Sequence, residues 1–307
     1  MKQIVFIILI ITCFTSCIIP FDVDEKIVVS NKSMERHFLA MYDKNKDGKL
    51  SKNEALAVID ISVECSQDSL LDGLEHFPNL EALIICGRNY TSIDVSKNLK
   101  LRILMFQNTK IKELDLTFNQ ELESLNCGMN ELESIRLGAK PKLTELFCGD
   151  NKLTSLDVRG CNKLIYLFCG DNSLKELDIK YSPQLEYFFC SHNQLETIDV
   201  RNNVKLKTFG CHYNKLLSLD VSKNTELFEL QCSGNTLLTA LDVSNNNKLE
   251  SLFCNNLLNM TTLDVSNNPK LRQLFCQHND NLATIYLKTG QTIKNLSIDA
   301  HTTVVYK

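Results

Sequence analysis

A leucine recurs every 21 residues through the middle of the chain, at Leu122, Leu143, Leu164, Leu185, Leu206 and Leu227, and this period constrains the fold more than any other feature. The pattern extends back to Leu80 and Leu101 and forward to Leu249 and Leu271. A unit this short cannot bury its own apolar face, so stacked copies must share one continuous core. The length of 307 residues therefore does not count domains. A hydrophobic share of 44% with only 11 Gly and 5 Pro fits such a packed chain and excludes collagen-like and disordered classes.

One clear unit, Leu143 to Val158, reads L-x-x-L-x-C-x-x-N-x-L-x-x-L-D-V. With Cys where Leu is commoner, this unit resembles the leucine-rich-repeat family over roughly residues 57–297. The resemblance implies a leucine-rich-repeat solenoid, mainly β, with parallel strands in coils of about 21 residues. The solenoid is expected over residues 61–287, with a β cap over 288–307 drawn from Ile293, Leu296, Ile298, Val304 and Val305.

Each unit holds two extended pieces, such as Leu146-Phe147-Cys148 and Leu156-Asp157-Val158, in which alternate residues face inward. The inward positions form ladders. Cys127, Cys148, Cys169, Cys190, Cys211, Cys232, Cys254 and Cys276 take one core position, where free Cys behaves as a small buried hydrophobe rather than a metal ligand or disulfide partner. The pairing of Cys65, Cys86 and Cys161, outside that ladder, is left open. Asn130, Asn151, Asn172, Asn193, Asn214, Asn235 and Asn279 form a second ladder at the following turn, where an inward amide can satisfy backbone groups of adjacent coils. Leu257 interrupts this row in a longer coil, where a local bulge is expected.

Outward positions are where recognition chemistry is expected. Phe147, Tyr166, Phe168, Tyr187 and Phe189 should form one aromatic patch, with Phe253 and Phe275 further along the same row. His192 and Tyr213, with Asp150, Asp171 and His278, rim it. Two readings of the aromatic row stay open: a ligand-binding surface, and simple cross-strand stacking. On the second extended piece an outward Asp row runs through Asp94, Asp115, Asp157, Asp178, Asp199, Asp220, Asp242 and Asp264, with Arg136 as the exception. Ser96, Ser222, Ser244 and Ser266, or Arg159, Lys180 and Arg201, stand two positions later and can offset its repulsion.

Ahead of the repeats, Asp43 to Glu54 fits every defining position of the twelve-residue EF-hand loop. Asp43, Asn45 and Asp47 offer side-chain oxygens, Lys49 a carbonyl, Ser51 a hydroxyl, and Glu54 two closing oxygens, a set suited to one structural calcium ion. Residues 34–60 are therefore expected to be an EF-hand-like helical cap, the open alternative being a metal-free cap.

Residues 1–16 read as an export signal, with Lys2 before an apolar run from Ile4 to Phe14 that is too short to span a bilayer. Phe14-Thr15-Ser16-Cys17 resembles a bacterial lipobox, which implies acylation of Cys17 and a tether over residues 17–33. Membrane contact is then expected only through the lipid. A formal charge of −4 without a basic stripe argues against nucleic acid, and no nucleophile elbow, phosphate loop or zinc-protease motif points to catalysis. The chain thus resembles bacterial leucine-rich-repeat surface lipoproteins. That resemblance implies a non-catalytic binder of a protein or glycan ligand at the outer membrane or cell surface. A structural envelope protein that self-associates through the same aromatic face is the alternative.

Overall fold

The structure, a computed structural model, describes residues 25–63, 71–87 and 89–307. The export signal, Cys17 and Cys65 lie outside the described residues.

The first extended piece of each coil adds one strand to a twelve-stranded parallel sheet that runs from Asp60–Val63 to Asn295–Ile298. Neighbouring strands pair without slip, so Leu125, Leu146, Leu167, Phe188, Phe209 and Leu230 lie side by side. Register is pinned by the pleat, because a one-residue shift would turn these buried side chains to solvent. Leu146, Leu167 and Phe188 have no exposed surface, while Phe147, Phe168 and Phe189 on the opposite face are half-buried.

Among the described residues, the second extended piece forms strands in some coils, and elsewhere a single bridge joins Asp220 to Asp242. Glu113–Asp115 pairs with Ser134–Arg136, and Thr262–Asp264, Thr284–Leu287 and Thr303–Tyr306 make a three-stranded sheet. In the coils of Asp157, Asp178 and Asp199 the alternating burial persists without ladder pairing. Strands Asn295–Ile298 and Thr303–Tyr306 extend the two sheets, so the C-terminal residues add one further coil.

The eight-cysteine ladder is buried with all thiols free; burial pushes those from Cys127 to Cys232 upward in pKa, and the Cys276 thiol beside it, then burial, does the same for Cys254. These thiols are core filling. Cys161 is also buried and free, whereas Cys86 is exposed.

The asparagine ladder works in both directions. The Asn172 amide donates to the Cys148 and Cys169 carbonyls at 3.1 and 3.2 Å, and its oxygen accepts from the Leu153 N–H at 2.9 Å. Each such residue thus fastens its own coil to the preceding one. Leu257, at the same position, is buried and donates its N–H to Asn279 at 2.6 Å. The bulge expected in that coil is instead a turn repeated in the last coils, closed by Leu238 N–H to Asn235 O, Met260 N–H to Leu257 O and Leu282 N–H to Asn279 O. The strands keep their register because the extra residue is absorbed after the ladder position.

A second polar ladder lies at the other turn. Buried Asn98, Asn119, Asn203, Asn224, Asn246 and Asn268 each bridge two carbonyls of preceding turns; Asn224, for example, donates to Val200 O at 3.0 Å and Asn203 O at 2.8 Å. Lys140, Cys161 and Ser182 replace Asn in the middle. The buried Lys140 ammonium donates to the Leu116, Leu137 and Ala139 carbonyls, so it does the bridging work of the missing amide. Desolvation lowers its pKa.

At the front, helix α1 (Lys32–Tyr42) is capped by Asn31, whose oxygen accepts from Ser33 and Met34 N–H. It buries Met34 and Phe38, and Phe38 meets Phe77 edge-on at 4.8 Å, closing the open end of the core.

Candidate functional site

The outward aromatic rows stack along the solenoid because equivalent residues stand one sheet spacing apart. Phe147 lies 4.8 Å from Phe168, and Phe168 lies 4.7 Å from Phe189, at 23° and 17°. In the adjacent column Tyr166 and Tyr187 stack at 4.8 Å and 6°. Glu186 and Lys207 form an ion pair at 2.6 Å on this flank, and burial followed by the neighbouring Tyr187 raises the Tyr166 phenol.

The rows do not continue unbroken. Asn126, paired with Phe147 on the outward row, is buried and accepts from Gln107 at 3.1 Å. Beyond Phe189 comes Gly210, over which the Phe189 ring lies; a Cβ at Gly210 would stand 2.6 Å from that ring. Phe253 and Phe275 form a separate stack at 5.1 Å, and Phe253 lies three strands along from Phe189, roughly 14 Å at sheet spacing. The central five residues therefore form one patch and the last two another.

In the turn that follows the outward row, Asn108, Met129, Asp150, Asp171, His192, Tyr213, Asn256 and His278 all adopt left-handed backbone, with φ between 52 and 58°. Such a conformation costs roughly 1–2 kcal/mol for an ordinary residue and favours Gly or Asn. Met129, His192 and Tyr213 are therefore bulky where a smaller residue would be cheaper. His192 stacks on Tyr213 at 4.6 Å, and Tyr213 is 50% exposed. His212, absent from the sequence expectations, joins this group: its Nδ1 is 2.9 Å from Ser191 Oγ, and its ring meets His192 at 5.3 Å. Burial, then the neighbouring His192, lowers its pKa. Its signal was its place two residues after Gly210 on the same face, where earlier coils carry Gly149 and Gly170.

The Asp row is held by local bonds. Asp94, Asp220, Asp242 and Asp264 accept the N–H of the residue two positions later, at 2.9–3.0 Å. Arg159 also grips Asp157 with two side-chain bonds, and Arg201 grips Asp199 likewise. These contacts, the arginine side chain first, hold both carboxyls down to about 2. A depressed carboxyl stabilises the fold above its unfolded pKa, and the contribution is lost as pH falls from about 4 to about 2. Because both pairs are exposed, the effect on stability is small. Replacing Arg159 by Ala is expected to move the Asp157 titration upward toward 3.8 and leave Asp199 unchanged in a carboxyl NMR titration.

The EF-hand-like loop joins α1 to helix α2 (Lys52–Leu56). Asp43 accepts from Lys46 and Gly48 N–H at 2.7 and 2.9 Å, Asn45 from Asp47 N–H, and Asp47 from Lys49 N–H. Gly48 has φ 79°, which explains the glycine at the sharp turn. Glu54 reaches back across the loop to Lys44 and Asn45 N–H and forms a capping box with Ser51. Among the described residues, no three His, Cys, Asp or Glu side chains gather closely enough to hold a metal. Asp43, Asp47 and Glu54 nevertheless enter no ion pair among those residues, despite Lys44, Lys46, Lys49 and Lys52 in the same segment. Their oxygens keep further lone pairs, and oxygen donors of this kind are the ones a hard divalent cation takes.

No helix among the described residues is long and apolar enough to cross a membrane. No known protein-family profile and no curated protein sequence matches the chain. Solved structures do. An internalin, InlF, from Listeria monocytogenes strain 4b F2365 is 19% identical with a TM-score of 0.53, covering 89% of this chain and 94% of its own. The functional domain of InlJ from Listeria monocytogenes, described as including a cysteine ladder, is 24% identical with a TM-score of 0.50, covering 78% of this chain and 69% of its own. The fold is that of a leucine-rich-repeat solenoid.

Proposed function

We propose that this protein is a non-catalytic binding protein of the bacterial cell envelope that takes a protein or glycan ligand on Phe147, Tyr166, Phe168, Tyr187 and Phe189. The observation that carries this reading is the half-exposed pair of aromatic stacks bordered by bulky left-handed residues. Stacking alone would explain the rings, since aromatic neighbours stabilise adjacent strands. It does not explain why the bulky rings of His192 and Tyr213 stand at a recurring left-handed turn position that Asn108 and Asn256 fill at lower cost. Rigid aromatic faces suit recognition because they bury large area with little loss of rotamer freedom. His192 and Tyr213 supply hydrogen-bonding groups at the rim, and the Phe253–Phe275 pair offers a second contact point along the same face.

In this reading residues 1–16 direct export, a lipid on Cys17 anchors the chain to the outer membrane or cell surface, and residues 17–33 act as tether. One structural calcium ion is held by Asp43, Asn45, Asp47, the Lys49 carbonyl, Ser51 and Glu54, stiffening the cap over the first coil. The mature chain, screened against glycan and envelope-protein arrays and sized by sedimentation, tests the reading. Specific capture by a monomer supports it. A stable homo-oligomer dissolved by Phe168→Ser, with no capture on either array, would favour self-association instead.

A further inference from the structure

The segment just before α1 is fastened to the calcium loop by backbone bonds. The Ile27 N–H donates to Leu50 O at 2.8 Å and the Lys52 N–H donates to Glu25 O at 3.1 Å, forming an antiparallel bridge between Lys26 and Ser51. Leu50, Ser51 and Lys52 follow the Lys49 carbonyl and precede Glu54, and Ser51 is itself one of the proposed calcium donors. The free edge of the loop is thus occupied by the chain's own upstream strand.

The same segment is tied to the first coil. Val29 is 2% exposed, and its methyls stand 3.0 and 3.1 Å from where a Cβ on Gly73 would lie. The Asp72 carboxylate accepts from the Ser30 and Asn31 N–H groups at 3.0 Å each and from the Ser30 hydroxyl. Ile27 and Leu50 are buried beside one another at the bridge. Residues 25–31, the downstream part of the stretch read as tether, therefore connect the loop, the helix cap and the solenoid.

From this arrangement we infer that residues 25–31 form a calcium-linked latch, in which ion occupancy of the Asp43–Glu54 loop and docking of the Glu25–Ile27 strand favour the same loop conformation. The inference rests on the calcium reading above. Drawing Glu54 toward an ion fixes the backbone of Leu50 to Lys52, the backbone that bonds to Glu25 and Ile27. Linkage then requires each event to strengthen the other by the same factor, typically 5- to 150-fold for coupled sites. With calcium the upstream chain is held against the cap. When calcium is withdrawn the strand lifts, the tether lengthens by these residues, and Ile27, Val29 and Leu50 are uncovered.

Ile27→Pro removes the N–H that bonds to Leu50 while leaving every side chain of the loop intact. Asp72→Ala loosens the segment from the first coil without touching the loop, and stands in if the proline variant does not fold. Calcium chloride is titrated calorimetrically into the full chain and both variants, and amide hydrogen exchange at Ile27 and Lys52 is followed with calcium and after chelation. The expected result is a calcium affinity at least about 5-fold weaker in the variants, with exchange at both amides slowed by at least about 5-fold when wild type is loaded. Equal affinity in all three proteins with unchanged exchange overturns the latch and leaves the calcium site standing. Absence of binding to wild type overturns both.

Discussion

Replacing Phe188 by alanine is expected to lower the unfolding free energy by about 3–5 kcal/mol, the range for an aromatic side chain deleted from a packed core. Phe188 has no exposed surface and stacks on Phe209 at 5.2 Å and 7°, so the change removes both buried area and a ring contact. In other coils that position holds leucine, as at Leu146, Leu167 and Leu230. The two phenylalanines therefore fill a wider place in the core together, and alanine leaves a cavity the neighbouring coils cannot close without breaking register. Because each coil contacts mainly its neighbours, the loss should also weaken the joint between the two halves of the solenoid. Urea unfolding followed by circular dichroism would show a lowered midpoint, with a broadened or split transition if the halves uncouple. A change below about 1 kcal/mol would mean that the site is not a tightly packed core position.

Much of this architecture could be read from the columns of the repeat. The 21-residue spacing fixed which residues become neighbours, so the buried cysteines, the first asparagine ladder and the aromatic stacks all followed from one alignment. The second polar ladder is hidden in the sequence, because Lys140, Cys161 and Ser182 interrupt it and conceal the recurrence of Asn98, Asn119, Asn203 and Asn224. Its role depends on carbonyls contributed by preceding turns, which no single repeat displays. The left-handed rim was hidden for a different reason. Met129, His192 and Tyr213 carry no turn propensity, and only the ladder geometry on either side forces their backbone.

Continuity of the aromatic face was also only partly legible. Alternation placed Asn126 and Gly210 on the outward row, yet side-chain bonding covers the first and the Phe189 ring covers the second. Period-two geometry assigns direction, not exposure, and a large neighbour one sheet spacing away can hide a small residue. At the front, the loop pattern specified Asp43 to Glu54, but pairing of that loop with Glu25–Ile27 joins a twelve-residue motif to a segment with no motif of its own.

The aromatic patch gives the second large expected effect. Phe168 stands in the middle of the Phe row and touches both neighbours, and Phe189 ends it against Gly210. Substituting both by serine removes two ring stacks, worth roughly 0.5–1.5 kcal/mol each beyond area burial, while the inward Leu167 and Phe188 stay in place. The variant should remain folded with a modestly lowered stability. If the patch is a recognition surface, loss of its central aromatic anchors costs about 2 kcal/mol or more together, so affinity should fall at least about 30-fold. The most direct test is therefore paired: ligand affinity and urea stability of Phe168→Ser/Phe189→Ser against wild type, with the ligand identified on the arrays. The account predicts a folded monomer that has lost at least about 30-fold in affinity. Undiminished affinity alongside the lowered stability would contradict it, and would assign the aromatic rows to strand stacking alone.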